Sequence, residues 1–221
     1  MPFDSAQVAR LRSGWGGMGS LVASDGSQNH PYLQRLQANA EPIRDLSDAV
    51  HYLCILHGRH PGVIDHAAAH ARVGVERDWL EAAAEGFATE RALLVRIVAA
   101  AGPLPSTPGH AQSEAAAAAQ RHALDMLAQS DRAGCATGAA LALAIDWAAI
   151  RDVLDVAAKR LGLATPAPAL PLAEETLTVI DALVRESAIE RAMLFGAQQM
   201  FAQHRGLWDL LEARASARDK H

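Results

Sequence analysis

With 221 residues, half of them hydrophobic and a fifth charged, the chain is sized for one domain with a substantial core. A formal charge of −5 supplies no basic field for phosphates, which argues against nucleic-acid binding. Only 5% of residues are aromatic, so Ala, Leu, Val and Ile must fill the core. That filling favours closely packed helices over strands.

Cys54 and Cys135 both sit in apolar sequence, which points to a reducing cytoplasm and away from a disulfide framework. The N-terminus lacks the charged start and apolar core of a secretory signal. The least charged stretch, 133–150, is interrupted by Asp146 and reads as a buried helix, not a membrane span.

Taken in chain order, residues 4–12 are expected to form a short helix. The Gly/Ser-rich run at 13–20 should resist helix, since each Gly costs about 1 kcal/mol relative to Ala. Residues 13–28 therefore read as a flexible arm or lid within a single domain spanning 1–221. Pro31 opens a short helix to Asn39, and Asp45 or Ser47 can cap the next, at about 46–57. Gly58-Arg59-His60-Pro61-Gly62 breaks it. Helices follow at about 63–72, 76–101, 111–129 and 135–161, with a Pro/Gly loop at 102–109. Pro166, Pro168 and Pro171 mark 162–172 as an extended linker, and a final helix runs to about 213, bent near Gly196. The pattern is an all-α bundle of six to eight helices.

Chemistry is sought where polar residues interrupt apolar stripes. Glu90 lies on the face of Phe87 and Leu94, and Asp146 has apolar neighbours on both sides. His204 falls between Phe201 and Trp208, with Glu190 a turn before Leu194. Each has a bland explanation: an ion pair for Glu90, with Arg91 or Arg96, a similar pair or a helix end for Asp146, and a satisfied core imidazole for His204. Each also has a functional one, as a catalytic group lining a cavity. The densest cluster is His51, His57, His60, Asp65, His66 and His70. His66 and His70 stand at i, i+4, a spacing that can bite one metal ion. His51, His57, Arg59 and His60 are candidates for holding a cofactor, or an anion or acidic neighbour at the turn. Glu90, Glu190, His204, His66 and His70 are the candidate ligands for iron or another divalent metal. The chain has no Glu-x-x-His, the motif from which ferritin-like di-iron bundles build their sites.

Four segments resemble the heme-oxygenase-like helical fold, in its thiaminase-II and PQQ-synthesis-protein branch. They are Asn29-His30-Pro31-Tyr32-Leu33-Gln34, Val50-His51-Tyr52-Leu53, the 140–161 helix ending Lys159-Arg160-Leu161-Gly162, and His204-Arg205-Gly206-Leu207-Trp208-Asp209. The resemblance implies a bundle around a central cavity for a small molecule or metal centre; a ferritin-like bundle is the alternative. It does not carry thiaminase chemistry over. The family's catalytic Glu, Asp and Cys fall at His204, Leu56 and near Ile145.

Two functions follow from these residues. One is a small-molecule- or metal-binding bundle with a polar cavity around Glu90, Asp146 and His204, with oxidoreductase chemistry as one outcome. The other is a non-enzymatic interaction protein acting as a homodimer. Haem ligation by a clustered histidine is a third reading. Convergence of Glu90, Asp146 and His204 favours the first; closure of each by its own partner favours the second.

Overall fold

The computed structural model describes residues 16–71, 73–184 and 187–220, all-α and without a strand among them. Its helices are α1 (Gly16–Asp25), α2 (Pro31–Gln37), α3 (Ile43–His57), α4 (Val63–His70), α5 (Val75–Ala101), α6 (His110–Ala128), α7 (Cys135–Arg160), α8 (Ala173–Leu183) and α9 (Ser187–Asp219). A 3-10 turn, Ser27–Asn29, joins α1 to α2. No helix among the described residues is long and apolar enough to cross a membrane.

The expected bundle is present, with two departures. The expected helix at 4–12 lies outside the described residues, but Gly16–Asp25 is helical where a flexible arm was expected. Packing outweighs the cost of its glycines, because Met18 and Val22 are buried and glycine permits the helix to lie close to α9. A Cβ on Gly17 would stand 2.5 Å from Leu194 Cδ1. The second departure is in the long terminal helix. It is divided between α8 and α9, and the break falls after Leu183, not at Gly196. Gly196 instead serves a helix crossing, since a Cβ there would strike the Cys135 carbonyl, and one on Gly138 would strike that of Met193.

Helix α7 is the axis of the bundle, touching α2 to α6, α9 and the 3-10 turn. Its alanine-rich sequence explains that position. Ala139, Ala140, Ala142, Ala157 and Ala158 are buried and let neighbours approach on several sides, with Leu141, Ile150, Val153 and Leu154 filling between them. Around this axis α5 supplies Leu80, Ala83, Phe87, Leu94 and Ile97 at helical spacing, and α9 supplies Met200, Phe201, Trp208 and Leu211. Pro31 starts α2, and His30 Nδ1 accepts from the Tyr32 amide at 3.2 Å as its cap.

The linker at 162–172 is extended, as its prolines dictate, and is tied down along its length. Arg96 donates to the Ala164 carbonyl at 3.4 Å, Arg151 donates to the Pro166 carbonyl, and the Ala169 amide donates to Glu90 at 3.0 Å. The C-terminal turns of α9 are locked to α3. Arg214 and Arg218 pair with Asp48, Arg218 also pairs with Asp45, and both arginines donate to Thr107. Arg214 stacks over the Tyr52 ring at 4.9 Å.

Candidate functional site

The interior holds a line of polar side chains drawn from four elements. Asp146 comes from the middle of α7, His204 from α9, His57 from the last residue of α3 and Ser27 from the 3-10 turn. Asp146 accepts from the Ser27 amide at 2.7 Å and from its hydroxyl at 2.5 Å. The Trp208 indole donates to that hydroxyl at 2.8 Å. His204 Nδ1 lies 2.6 Å from Asp146 Oδ2, and His204 Nε2 lies 2.9 Å from His57 Nε2. The chain is therefore Trp208–Ser27–Asp146–His204–His57, and its members are 5% exposed or less.

Hydrogen-bonding capacity narrows where the protons sit. An ionised carboxylate only accepts, so His204 Nδ1 carries a hydrogen. Between the two facing Nε2 atoms one proton is shared. Either neutral His57 donates to neutral His204, or a His204 imidazolium, paired with Asp146, donates to His57. His57 itself is held well below the ordinary histidine pKa. Burial is the main cause, the neighbouring His204 the second and the Arg91 guanidinium the third. It is neutral in either arrangement.

His57 is fixed on every side. The Phe87 and Trp147 rings stand edge-on to it, with centroids 6.3 and 5.6 Å away. Arg91 Nε donates to the His57 carbonyl at 3.3 Å, and Arg91 also pairs with Asp65 at 2.8 Å. Asp65 in turn accepts from the Gly62 amide at 2.7 Å, which shapes the turn between α3 and α4. His57 also lines a narrow pocket with Leu56, Arg59, Phe87, Arg121 and Asp125. Its free volume is about 20 Å³, room for one water-sized atom group.

Glu90 stands apart from this line. Arg151 Nη1 donates to both its oxygens at 2.8 and 2.9 Å, the Trp147 indole at 3.1 Å and the Ala169 amide at 3.0 Å. The ion-pair explanation holds for it, with Arg151 as partner and not Arg91 or Arg96. Arg151 is buried in the same alanine-rich helix as Asp146, and a mid-helix arginine in such apolar sequence is the signal that could have pointed to a buried carboxylate partner.

The remaining candidates are dispersed. His51 Nε2 bonds the Gly102 carbonyl at 2.8 Å. His60 is exposed and faces Asp65 at 3.3 Å, an acidic neighbour of the kind the turn suggested. His70 Nδ1 bonds the His66 carbonyl at 2.8 Å, so these two imidazoles do not face a shared point through that nitrogen. Glu190 sits half-buried in the first turn of α9. It precedes His204 by 14 residues, about 21 Å along a helix. Among the described residues no three His, Cys, Asp or Glu side chains are gathered as a metal ligand set. Glu90, with both oxygens on Arg151, and His204, with both nitrogens bonded, do not fit that role as they stand.

The fold and this site define an all-α bundle with a buried carboxylate–imidazole–imidazole line ending at a small pocket. The chain belongs to the family described as "Family of unknown function (DUF6975)", whose match covers residues 22–219. Comparison with curated proteins and with solved structures finds no match. The family match begins inside α1, and so takes in every member of the polar line.

Proposed function

We propose that this protein is a small-molecule-binding acid–base bundle in which His57 is the working group and His204 with Asp146 serves as its proton reservoir. A proton accepted from the pocket at His57 Nδ1 releases the Nε2 proton to His204 Nε2. The imidazolium so formed rests on the Asp146 carboxylate, which Ser27 holds in place. The reverse transfer returns a proton to the pocket. Burial favours this arrangement, because a low-dielectric surrounding strengthens each charge-assisted bond and keeps competing water out. The observation that carries the reading is the unbroken bonding from Asp146 through two imidazoles to a residue lining a pocket. A purely structural carboxylate needs no such exit. The heme-oxygenase-like layout belongs to the same reading, since it too places working groups on core helices.

The test is histidine-selective nitrogen labelling and NMR titration from about pH 9 to about pH 5. Both rings are expected to respond together, and the coupling is expected to vanish in Asp146→Asn. Independent titration of the two rings, or unchanged coupling in Asp146→Asn, would sink the relay.

One observation favours the second reading, a helical interaction protein acting as a homodimer. Met126 and Phe195, 62% and 46% exposed, share an apolar groove between α6 and α9. Sedimentation of the wild type against Phe195→Glu tests it: a dimer lost on substitution supports that reading, and a monomer throughout removes it.

A further inference from the structure

We propose that the His57 pocket takes the carboxylate end of a small monoanionic organic acid, held between Arg121 and Arg59. The inference rests on His57 being the working group and names the ligand class for that same site.

The pocket's two guanidiniums, Arg121 half-buried and Arg59 exposed, differ from the buried arginines of the interior. Arg91, Arg151 and Arg214 each have a carboxylate partner at 3.0 Å or less. Arg121, on α6, and Arg59, in the turn after α3, have no ion pair among the described residues, although Asp125 shares the pocket with them. Arg121 Nε is also buried with no hydrogen-bond partner. A buried donor left unmet is costly, and an acceptor oxygen entering the pocket would satisfy it.

Charge and size narrow the acceptor. Two guanidiniums against the Asp125 carboxylate leave one positive charge with His57 neutral, so a monoanion balances the pocket and a dianion overshoots it. The pocket's inner free volume of about 20 Å³ suits a carboxylate oxygen. The body of the acid would rest at the mouth, with the atom next to the carboxylate facing His57. Planar guanidiniums suit a planar carboxylate, whose two oxygens they can meet in parallel bonds.

The experiment uses the full chain with acetate, butyrate, inorganic phosphate and methylammonium as probes, read by the His57 ring signals. Saturable shifts with acetate and butyrate at about millimolar levels are expected, with phosphate weaker and methylammonium inert. Arg121→Gln should weaken the carboxylates by about tenfold or more. Arg59→Gln, on an exposed side chain that cannot unfold the core, should weaken them less. Absence of a saturable carboxylate shift, an unaffected Arg121→Gln, or phosphate binding more tightly than acetate would overturn the proposal. Coupled titration of His57 and His204 in the same samples separates the two ideas. If it persists without carboxylate binding, the ligand class is wrong and the relay stands; if it is absent, the relay itself fails.

Discussion

Glu90 faces a permanent cation, Arg151, whereas Asp146 faces a backbone amide, a hydroxyl and an imidazole. Both carboxylates are buried on core helices, and Trp147 lies between them, donating its indole hydrogen to Glu90 while its ring packs against His57. The Glu90 pair is closed by a guanidinium that bonds both carboxylate oxygens. It also pins the proline-rich linker, since Glu90 holds the Ala169 amide and Arg151 the Pro166 carbonyl. The Asp146 line is closed only through a group that can gain or lose a proton. A fixed counter-charge fastens a structure; a titratable one leaves it able to exchange protons. The α3–α9 network of Asp45, Asp48, Arg214 and Arg218 belongs with Glu90 on the fastening side.

The largest effect should come from breaking the closed pair on one side only. Arg151→Met strands Glu90 in the core and is expected to lower stability by about 3–5 kcal/mol in urea denaturation. The double variant Glu90→Leu with Arg151→Met removes both charges and should recover most of that loss. A double variant as unstable as the single would show that Glu90 does more than balance charge.

Asp146→Asn probes the other side. It keeps the shape but offers one acceptor oxygen where Ser27 and His204 require two, so a loss of about 1–3 kcal/mol is expected by the same measurement. Unlike Arg151→Met, it should also change the His57 and His204 ring signals. Equal changes in both variants would erase the distinction between the networks.

The pH dependence sharpens the contrast. His57 is held below its unfolded pKa, so the unfolded chain binds more protons in acid. The stability that neutral His57 contributes is complete above about pH 6.5 and is lost as pH falls from there toward the folded value. Wild-type protein should therefore weaken across that window more steeply than His57→Gln, as read by denaturation at a series of pH values. Parallel curves would mean that His57 is not held neutral by the fold.

The smallest effects should fall on candidates outside both networks. Glu190→Gln and His70→Ala are each expected to alter stability by no more than about 0.5 kcal/mol. Neither should affect the coupled titration. A large loss in Glu190→Gln would reveal a partner in the first turn of α9.

Much of this protein was legible in its sequence. Alanine-rich helical periodicity specified an all-α bundle, and the prolines of 162–172 and the Pro/Gly loop at 102–109 marked its main connections, because backbone preference there acts locally. Asp146, His204 and Glu90 stood out because a polar residue in an apolar stripe implies burial, and all three are buried. Their partners were decided only by tertiary structure. Ser27 is 119 residues from Asp146, Trp208 is 181 from Ser27, and His57 is 147 from His204. No local preference encodes such meetings. The helix at Gly16–Asp25 likewise depends on α9 lying beside it, since glycine's local penalty is offset only when packing rewards the close approach. What stands opposite each carboxylate was decided by the folded chain: a guanidinium before Glu90, an imidazole before Asp146.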